Sequence, residues 1–429
     1  MTSIAVFVLD TLRKDSFDQH FDWLPGARFD RTYAPSHYTV PVHASLFTGR
    51  YPSTVGVGAK HEQFDCKEPS LVEEISTAGY DTAGFTANGL LTENRSFDRG
   101  FDQYHTSWRV RLMDDDVFGW SRAVREIPPG PLRDVRAVWR CLRSDTATIP
   151  SLRLGWRQKF ADHDGGRRVL KMARSGSFRE ADFLFVNLME AHSPYRAPDE
   201  YEMPTTEPVD PNTILEGDVD LSNHRERYEV AVQWLSDLYK QIFEAISDDF
   251  DYVFTLSDHG ELFGEHGARA HFHGVYPELV HVPLCVSGFN DDDVATDSTR
   301  SLLDVHRTIA ELMDVQTESE GVDLRKKAPD RDCFTEYHGF RQMRRDILCE
   351  YGFAESTVDV YDQPLVGHVS DRKNYAYQRI SNGERNSTET RAELEDRAEV
   401  IEAAIKHHVS TNQDLSKDAL EQLRNLGYA

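Results

Sequence analysis

Lysine is scarce in this chain: it supplies 11 of the 48 basic residues, and arginine supplies the other 37. Acidic side chains number 73, so the formal charge is −25 and basic excess is absent. That balance argues against general nucleic-acid binding, which draws on neutralising phosphates with Lys and Arg. An acid-rich, lysine-poor surface suits a protein kept soluble in concentrated salt, where repulsion is screened within a few ångströms. A halophilic, salt-rich cytoplasm is the expectation. Cysteine is equally sparse: Cys66, Cys141, Cys285, Cys333 and Cys349 stand far apart without a CxxC pair. This excludes a disulfide framework and a zinc ribbon, and reads as buried, reduced thiols. No apolar run approaches the ~20 residues of a membrane span, so no membrane partner is expected. The opening MTSIAVFVLD lacks a basic stretch and enters a strand pattern at once, which reads as no signal peptide and a cytoplasmic location.

What the 429 residues do contain is enough apolar material, 39%, for one large domain or two moderate ones. Three short apolar runs, at residues 4–9, 181–188 and 252–256, read as strands covered on both faces. Helical patterns lie between them, at residues 70–77 and 224–246 for example. Strands alternating with helices predict an α/β fold with a mainly parallel sheet flanked by helices. The catalytic body is expected over residues 1–320. A C-terminal α+β subdomain over 321–429 would hold a small sheet, with strand-like pieces at 359–361 and 373–379, and helices over 391–408 and 419–426. Residues 107–175, rich in Arg and Trp, read as a helical insert. Its arginines (Arg122, Arg125, Arg133, Arg136, Arg140, Arg143, Arg153 and Arg157) suggest a solvated face whose Trp and Leu pack on the main domain; an anionic-substrate funnel or a lid is the rival reading. Residues 204–220 read as an acidic surface loop.

In such sheets ligands bind beyond the carboxyl ends of the strands. Each of the three runs leads into polar residues: Asp10-Thr11, Glu190-Ala191-His192 and Ser257-Asp258-His259. An adjacent carboxylate and imidazole can face one divalent cation where the backbone turns, and Gly260 is expected to permit that turn. Asp10 adds a second carboxylate. Thr39, before Pro41 and an apolar run, reads either as an ordinary helix N-cap or as a hydroxyl held at the positive end of a helix dipole. Metal coordination there would lower its pKa and make an alkoxide nucleophile available.

Taken together these segments resemble the sulfatase family of the alkaline-phosphatase-like superfamily. Residues 39–50, TVPVHASLFTGR, are similar to the sulfatase signature, in which Cys or Ser is followed by x-Pro-x-x-Ala-x-Leu-x-Thr-Gly-Arg. Val8 to Arg13 and Ser257 to Glu261 resemble the family's metal-binding segments. Supporting resemblances lie at Ala34-Pro35-Ser36, Thr86-Ala87-Asn88 through Gly100-Phe101-Asp102, Glu190 to Tyr195, Val282-Pro283-Leu284 and Leu423 to Tyr428. They cover essentially the whole chain outside the insert. The resemblance implies the alkaline-phosphatase-like fold and hydrolysis of a sulfate or phosphate ester. One divalent cation, Ca favoured over Mn, Mg or Zn, would be held by Asp10, Thr39, Asp258 and His259. Thr39 would be the nucleophile, and His192 and His273 would bind substrate and protonate the leaving group. His43, four residues past the nucleophile where sulfatases carry Arg, is a further candidate for contact with the anion. The partner implied is a small-molecule or glycan anionic ester.

Thr39 is the informative departure. Sulfatases oxidise a Cys or Ser to formylglycine, and Thr does not undergo that modification. A threonyl sulfate lacks the aldehyde's route to expel sulfate, whereas a phosphothreonine can be displaced at phosphorus by activated water. The activity the family resemblance implies is sulfuric ester hydrolysis through a Thr alkoxide. Phosphodiester or phosphonate monoester hydrolysis is the rival that Thr39 favours, because unmodified Thr is used by the related nucleotide pyrophosphatase/phosphodiesterases. Those enzymes bind two zinc ions; here a second site would have to come from Glu190, His192, and His271 or His273. Thr39, Thr11 and His43 at positions of Cys, Asp and Arg also fit a relative that kept the fold and binds an anion or partner without turnover.

Overall fold

The computed structural model describes residues 1–379 apart from 113–115, 121–122, 125–126, 129, 161–164, 206–220, 290–293, 295, 328–330, 351 and 371–372, and thereafter 397 and 399–405. Arg122 and Arg125, most of the 204–220 loop and the 419–428 segment lie outside the described residues. Of the helix expected over 391–408, residues 397 and 399–405 are helical.

Among the described residues the strands are, in chain order, β1 (Ile4–Leu9), β2 (Ala27–Arg28), β3 (Thr32–Tyr33), β4 (Thr82–Thr86), β5 (Gln103–Thr106), β6 (Phe183–Leu188), β7 (Tyr252–Leu256), β8 (Leu262–Phe263), β9 (Arg269–Ala270), β10 (Leu284–Ser287), β11 (Arg300–Ser301), β12 (Cys333–Tyr337), β13 (Leu365–Ser370) and β14 (Lys373–Arg379). The main sheet has the order β2-β10-β7-β1-β6-β4-β5. From β7 to β5 it is parallel, and β10 is antiparallel to both β7 and β2. Every residue of β1 and β6 is buried, as their largely apolar runs require of strands covered on both faces. The one polar residue among them, Asn187, points to the site described below.

Register fixes where the strands end. Leu9 pairs with Leu188, and Val8 pairs with both Asn187 and Leu256. Asp10, Glu190 and Asp258 therefore leave the sheet at one edge within two residues of each other. The helix Ser222–Ile246 buries Tyr228, Ala231, Val232, Leu235, Leu238, Tyr239, Ile242 and Ile246, the three-and-four spacing of one helical face. It packs on helices Lys14–His20 and Gly166–Arg174. Each such side chain withdrawn from water contributes on the order of 2 kcal/mol. Helix Thr39–Thr48 is buried on every side and packs against Leu71–Thr77 and Leu303–Leu312. It stops at Gly49, whose φ of +67° is left-handed and whose N–H closes on Ser45 O at 2.8 Å. A Cβ there would lie 2.4 Å from His306 Nδ1.

Strands β12, β13 and β14 form a separate antiparallel sheet. It is joined to the body by the Glu336 N–H, which donates to Pro35 O at 2.9 Å, and by a shared apolar cluster containing Tyr33, Val275, Leu279, Tyr337 and Leu365. Residues 359–361, expected as strand, instead close the α-helix Glu355–Tyr361. Only Val358 of that helix is buried, against Phe340 and Leu348, so one inward contact per turn replaces the alternation of a strand. The insert is helical, over Trp108–Arg111, Arg133–Cys141, Thr148–Phe160 and Gly166–Arg174. Its packing follows the expectation in part: Trp108, Leu112 and Leu154 are buried in the main core. Helix Arg133–Cys141 buries the small Ala137 and Cys141 and turns Trp139 outwards, and Leu132, Leu142 and Trp156 are exposed as well.

Candidate active site

Asp10 follows β1, Asp258 and His259 follow β7, and their ligand atoms lie within 4.8 Å of one another, fully buried. Thr39 enters from the side as the first residue of its helix. The N-cap is Tyr38, so Thr39 does not cap. Its Oγ1 instead accepts from Asn88 Nδ2 at 3.1 Å, and lies 3.4 Å from His259 Nε2 and 3.5 Å from Asp10 Oδ2.

The two carboxylates are held differently. Asp10 Oδ2 accepts from Asn88 Nδ2 at 2.7 Å and Asn187 Nδ2 at 3.1 Å. Asp258 Oδ1 accepts from the amides of Thr11 at 3.3 Å and His259 at 3.0 Å. Thr11 reaches that position with φ of +60°, left-handed backbone that a β-branched residue adopts only under strain. The remaining oxygens, Asp10 Oδ1 and Asp258 Oδ2, are buried without a hydrogen-bond donor. Burial, and for Asp10 next the neighbouring Asp258 charge, pushes each carboxyl up to about 6. His259 donates from Nδ1 to Gly260 O at 3.0 Å, which leaves the Nε2 lone pair turned towards the carboxylates. Burial, then the charge of His271, pushes its imidazole down to about 4. Two unsatisfied carboxylate oxygens and one imidazole lone pair, all desolvated, are the donor set of a divalent cation. The residues present fit one. Gly260 serves by size, because a Cβ would lie 2.0 Å from Glu278 O, and its φ is not left-handed.

The other histidines separate into distinct environments. His43 lies beneath the cluster: Nδ1 meets Thr39 O at 2.9 Å, the ring stands edge-on to Phe185, and burial pushes it down to about 3. It is a neutral support under the Thr39 turn. His192 meets Ser193 O through Nδ1 at 2.6 Å, and its ring stands 5.2 Å from His271. Burial and the His271 charge hold it well below the usual histidine range. His273 is enclosed by aromatic rings, 5.0 Å from Tyr361 and 5.1 Å from Tyr337. Among the described residues no second group of three metal-ligating side chains converges. Glu190, considered for such a site, accepts from Gly166 N at 2.7 Å.

His271, not chosen from sequence as a site residue, stands 4.5 Å ring to ring from His259 and pairs through Nδ1 with Glu261 Oε1 at 3.1 Å. Tyr195 OH donates to the other Glu261 oxygen at 3.1 Å. Burial lowers His271, but the Glu261 carboxylate outweighs it, and the net direction is upwards. A small cavity of about 30 Å³ opens on Thr39 between His37, His271, Phe272, Arg341 and Arg344. Of these, the Arg341 guanidinium pairs with Glu62 at 2.6 Å and that of Arg344 lies 3.7 Å over the Phe272 ring. A larger cleft, about 340 Å³ between Arg50, Cys66, Glu68 and Thr317, contains none of these groups and has no part in the site. Asn88, Asn187 and the arginines are the residues that sequence reasoning missed. Only Asn88 carried a signal, its place in the supporting segment after β4.

A family model described as Sulfatase matches residues 19–315. The chain belongs to the sulfatase family. Asp10 lies just before the matched range. No curated protein matches the chain. Among solved structures, the phosphonate monoester hydrolase of Silicibacter pomeroyi is 15% identical with a TM-score of 0.59, over 96% of each chain. That of Agrobacterium radiobacter is 15% identical with a TM-score of 0.60, over 97% of this chain and 98% of its own. A 2-O GAG sulfatase is 12% identical with a TM-score of 0.57, over 98% and 96%. These establish the alkaline-phosphatase-like fold, and with the family a class whose members generally hydrolyse sulfate or phosphate esters and use a divalent metal.

Proposed function

We propose that the chain is a metal-dependent hydrolase of anionic esters that uses the Thr39 oxygen as its nucleophile. The observation that carries this reading is the placement of Thr39 Oγ1 within 3.5 Å of Asn88, His259 and Asp10, beside two carboxylate oxygens lacking donors. Asp10, Asp258, His259 and Thr39 would hold the cation, with Ca favoured by oxygen-rich ligation and by the family. When bound, the cation lowers the hydroxyl pKa and stabilises charge on the anion's oxygens. Asn88 donates to Thr39 Oγ1, the hydroxyl proton is directed at Asp10 Oδ2 3.5 Å away and passes to that carboxylate, and the Asn88 hydrogen bond supports the oxygen as it gains charge. Attack by Oγ1 forms the bond to phosphorus as the bond to the leaving alkoxide breaks, and water then displaces the Thr39 oxygen at phosphorus, releasing the acid and returning the hydroxyl. His271, held at Nδ1 by Glu261, retains Nε2 for proton exchange with the leaving oxygen. Arg341 and Arg344 line the cavity with positive charge, suited to an anionic substrate.

Threonine at this position favours a phosphorus ester, a phosphodiester or phosphonate monoester, over a sulfate ester. The structural neighbours described as phosphonate monoester hydrolases agree with that preference, and the 2-O GAG sulfatase keeps a sulfated glycan as the rival substrate. The deciding experiment is turnover of matched aryl sulfate, phosphate, phosphodiester and phosphonate probes with Ca, Mg, Mn and Zn, beside Thr39→Ala. Phosphodiester or phosphonate turnover lost in Thr39→Ala supports the proposal. Aryl sulfate turnover that needs Thr39 would refute the preference for phosphorus, and silence with all probes in metal-loaded protein would refute the hydrolase.

A further inference from the structure

The insert carries an apolar face turned to solvent. Relative exposures are 57% for Leu132, 63% for Val135, 53% for Trp139 and 54% for Leu142, at positions three or four apart on one helical face. Ile149 and Trp156, on the neighbouring helix Thr148–Phe160, are each 65% exposed. Outside the insert, the large apolar side chains exposed among the described residues are Met1, Val360 and Val400. Large apolar side chains exposed on two helices that pack against each other mark an interaction surface.

Its charge is opposite to that of the rest of the chain. Residues 133–160 hold seven basic side chains against Asp134 and Asp145, a local surplus of five in a chain of formal charge −25. Arg136, Arg140, Arg143, Arg153 and Arg157 are interleaved with the apolar residues, and the Arg143 guanidinium lies 3.9 Å over the Trp139 ring. Lys159 pairs with Asp134, tying the two helices into one platform.

That composition decides between occupants. Two copies joined through this face would set arginine against arginine across the symmetry axis. A head-to-tail contact needs a second apolar patch, which the described surface lacks. An anionic lipid surface answers both features, since phosphate headgroups pair with arginine while Trp, Leu and Ile enter the headgroup boundary. We infer that helices Arg133–Cys141 and Thr148–Phe160 form a docking platform for an anionic membrane surface. Among the described residues no helix is long and apolar enough to cross a membrane, so the platform is read as lying on the surface.

The test is flotation of the full chain with vesicles of equal parts phosphatidylglycerol and phosphatidylcholine, against phosphatidylcholine alone, in the lowest salt that keeps the far-ultraviolet circular dichroism native. Binding to the anionic vesicles and not to the neutral ones is expected. Trp139→Ser with Trp156→Ser should weaken it on the order of tenfold, as should Arg140→Gln with Arg153→Gln, with the dichroism and melting midpoint of both variants unchanged. Native protein that ignores anionic vesicles, binds both kinds equally, or binds unchanged after either double substitution would overturn the inference. A dimer in light scattering that Trp139→Ser with Trp156→Ser dissociates, without vesicle binding, would overturn it in favour of a second copy.

Discussion

Metal-free protein should become less stable as pH rises through the range where Asp10 and Asp258 ionise. Both carboxyls are fully buried and pushed from 3.8 up to about 6, by burial first and for Asp10 next by its Asp258 neighbour. A rise of about two units corresponds to on the order of 3 kcal/mol against each ionised form. The fold favours the protonated acids, so this contribution is complete below the unfolded value near 3.8 and lost as pH climbs through about 6. A bound divalent cation reverses the sign, because it needs both groups ionised. Thermal unfolding from mildly acidic to mildly alkaline pH, after chelation and with saturating Ca, reads the effect directly. The stabilisation by metal should grow as pH rises and level off above neutrality. Asp258→Asn keeps an oxygen for the Thr11 and His259 amides and removes one buried charge. At mildly alkaline pH this variant should melt several degrees above the chelated parent and gain nothing from metal. A metal increment that is the same at acidic and alkaline pH, or a chelated Asp258→Asn that melts below the chelated parent, would refute the account of the cluster.

Asn88→Ala removes the donor shared by Thr39 and Asp10, and kcat should fall about a hundredfold with the fold intact, as when one donor to a developing charge is deleted; an unchanged kcat would remove Asn88 from the chemistry. Arg397 anchors the C-terminal helix through its ion pair to buried Glu336 and its position 4.1 Å over the Tyr51 ring. Burial pushes Glu336 upwards, yet Arg397, with His338 and Ser53, holds it at about 2. Arg397→Ala should therefore cost about 3–5 kcal/mol in denaturant unfolding, and Glu336→Gln with Arg397→Met should recover part of it. We propose that the acidic surface is an adaptation to a salt-rich cytoplasm, so the melting midpoint should rise with KCl into the molar range; a flat response would contradict it.

The sheet was legible in the sequence because β1, β6 and β7 are buried on both faces, and burial of that kind writes a largely apolar run. The convergence of Asp10, Asp258 and His259 was legible for a related reason: parallel register brings the residues after those runs to one edge. Thr39 was marked by the segment it opens. Less accessible were the residues that satisfy the site from a distance. Asn187 lies inside β6, where one polar residue in an apolar strand has no pattern of its own, and Arg341 and Arg344 arrive from a segment some three hundred residues away. His271 and His273 share one short segment, and only the fold turns the first towards Thr39 and encloses the second among aromatic rings. The insert was legible in part. Trp108, Leu112 and Leu154 pack into the main core as expected, whereas Trp139 and Trp156 do not, because amphipathic spacing reports which residues share a face, not whether that face turns inwards.

The central claim is that Thr39 forms the covalent bond to the substrate. Rapid acid quench of metal-loaded protein turning over an aryl phosphonate or phosphodiester, followed by peptide mass spectrometry, tests it directly. The account predicts that the peptide bearing Thr39 carries the transferred group, and that Thr39→Ala shows neither adduct nor turnover. Turnover of Thr39→Ala at the parent rate, or an adduct on another residue, would contradict it.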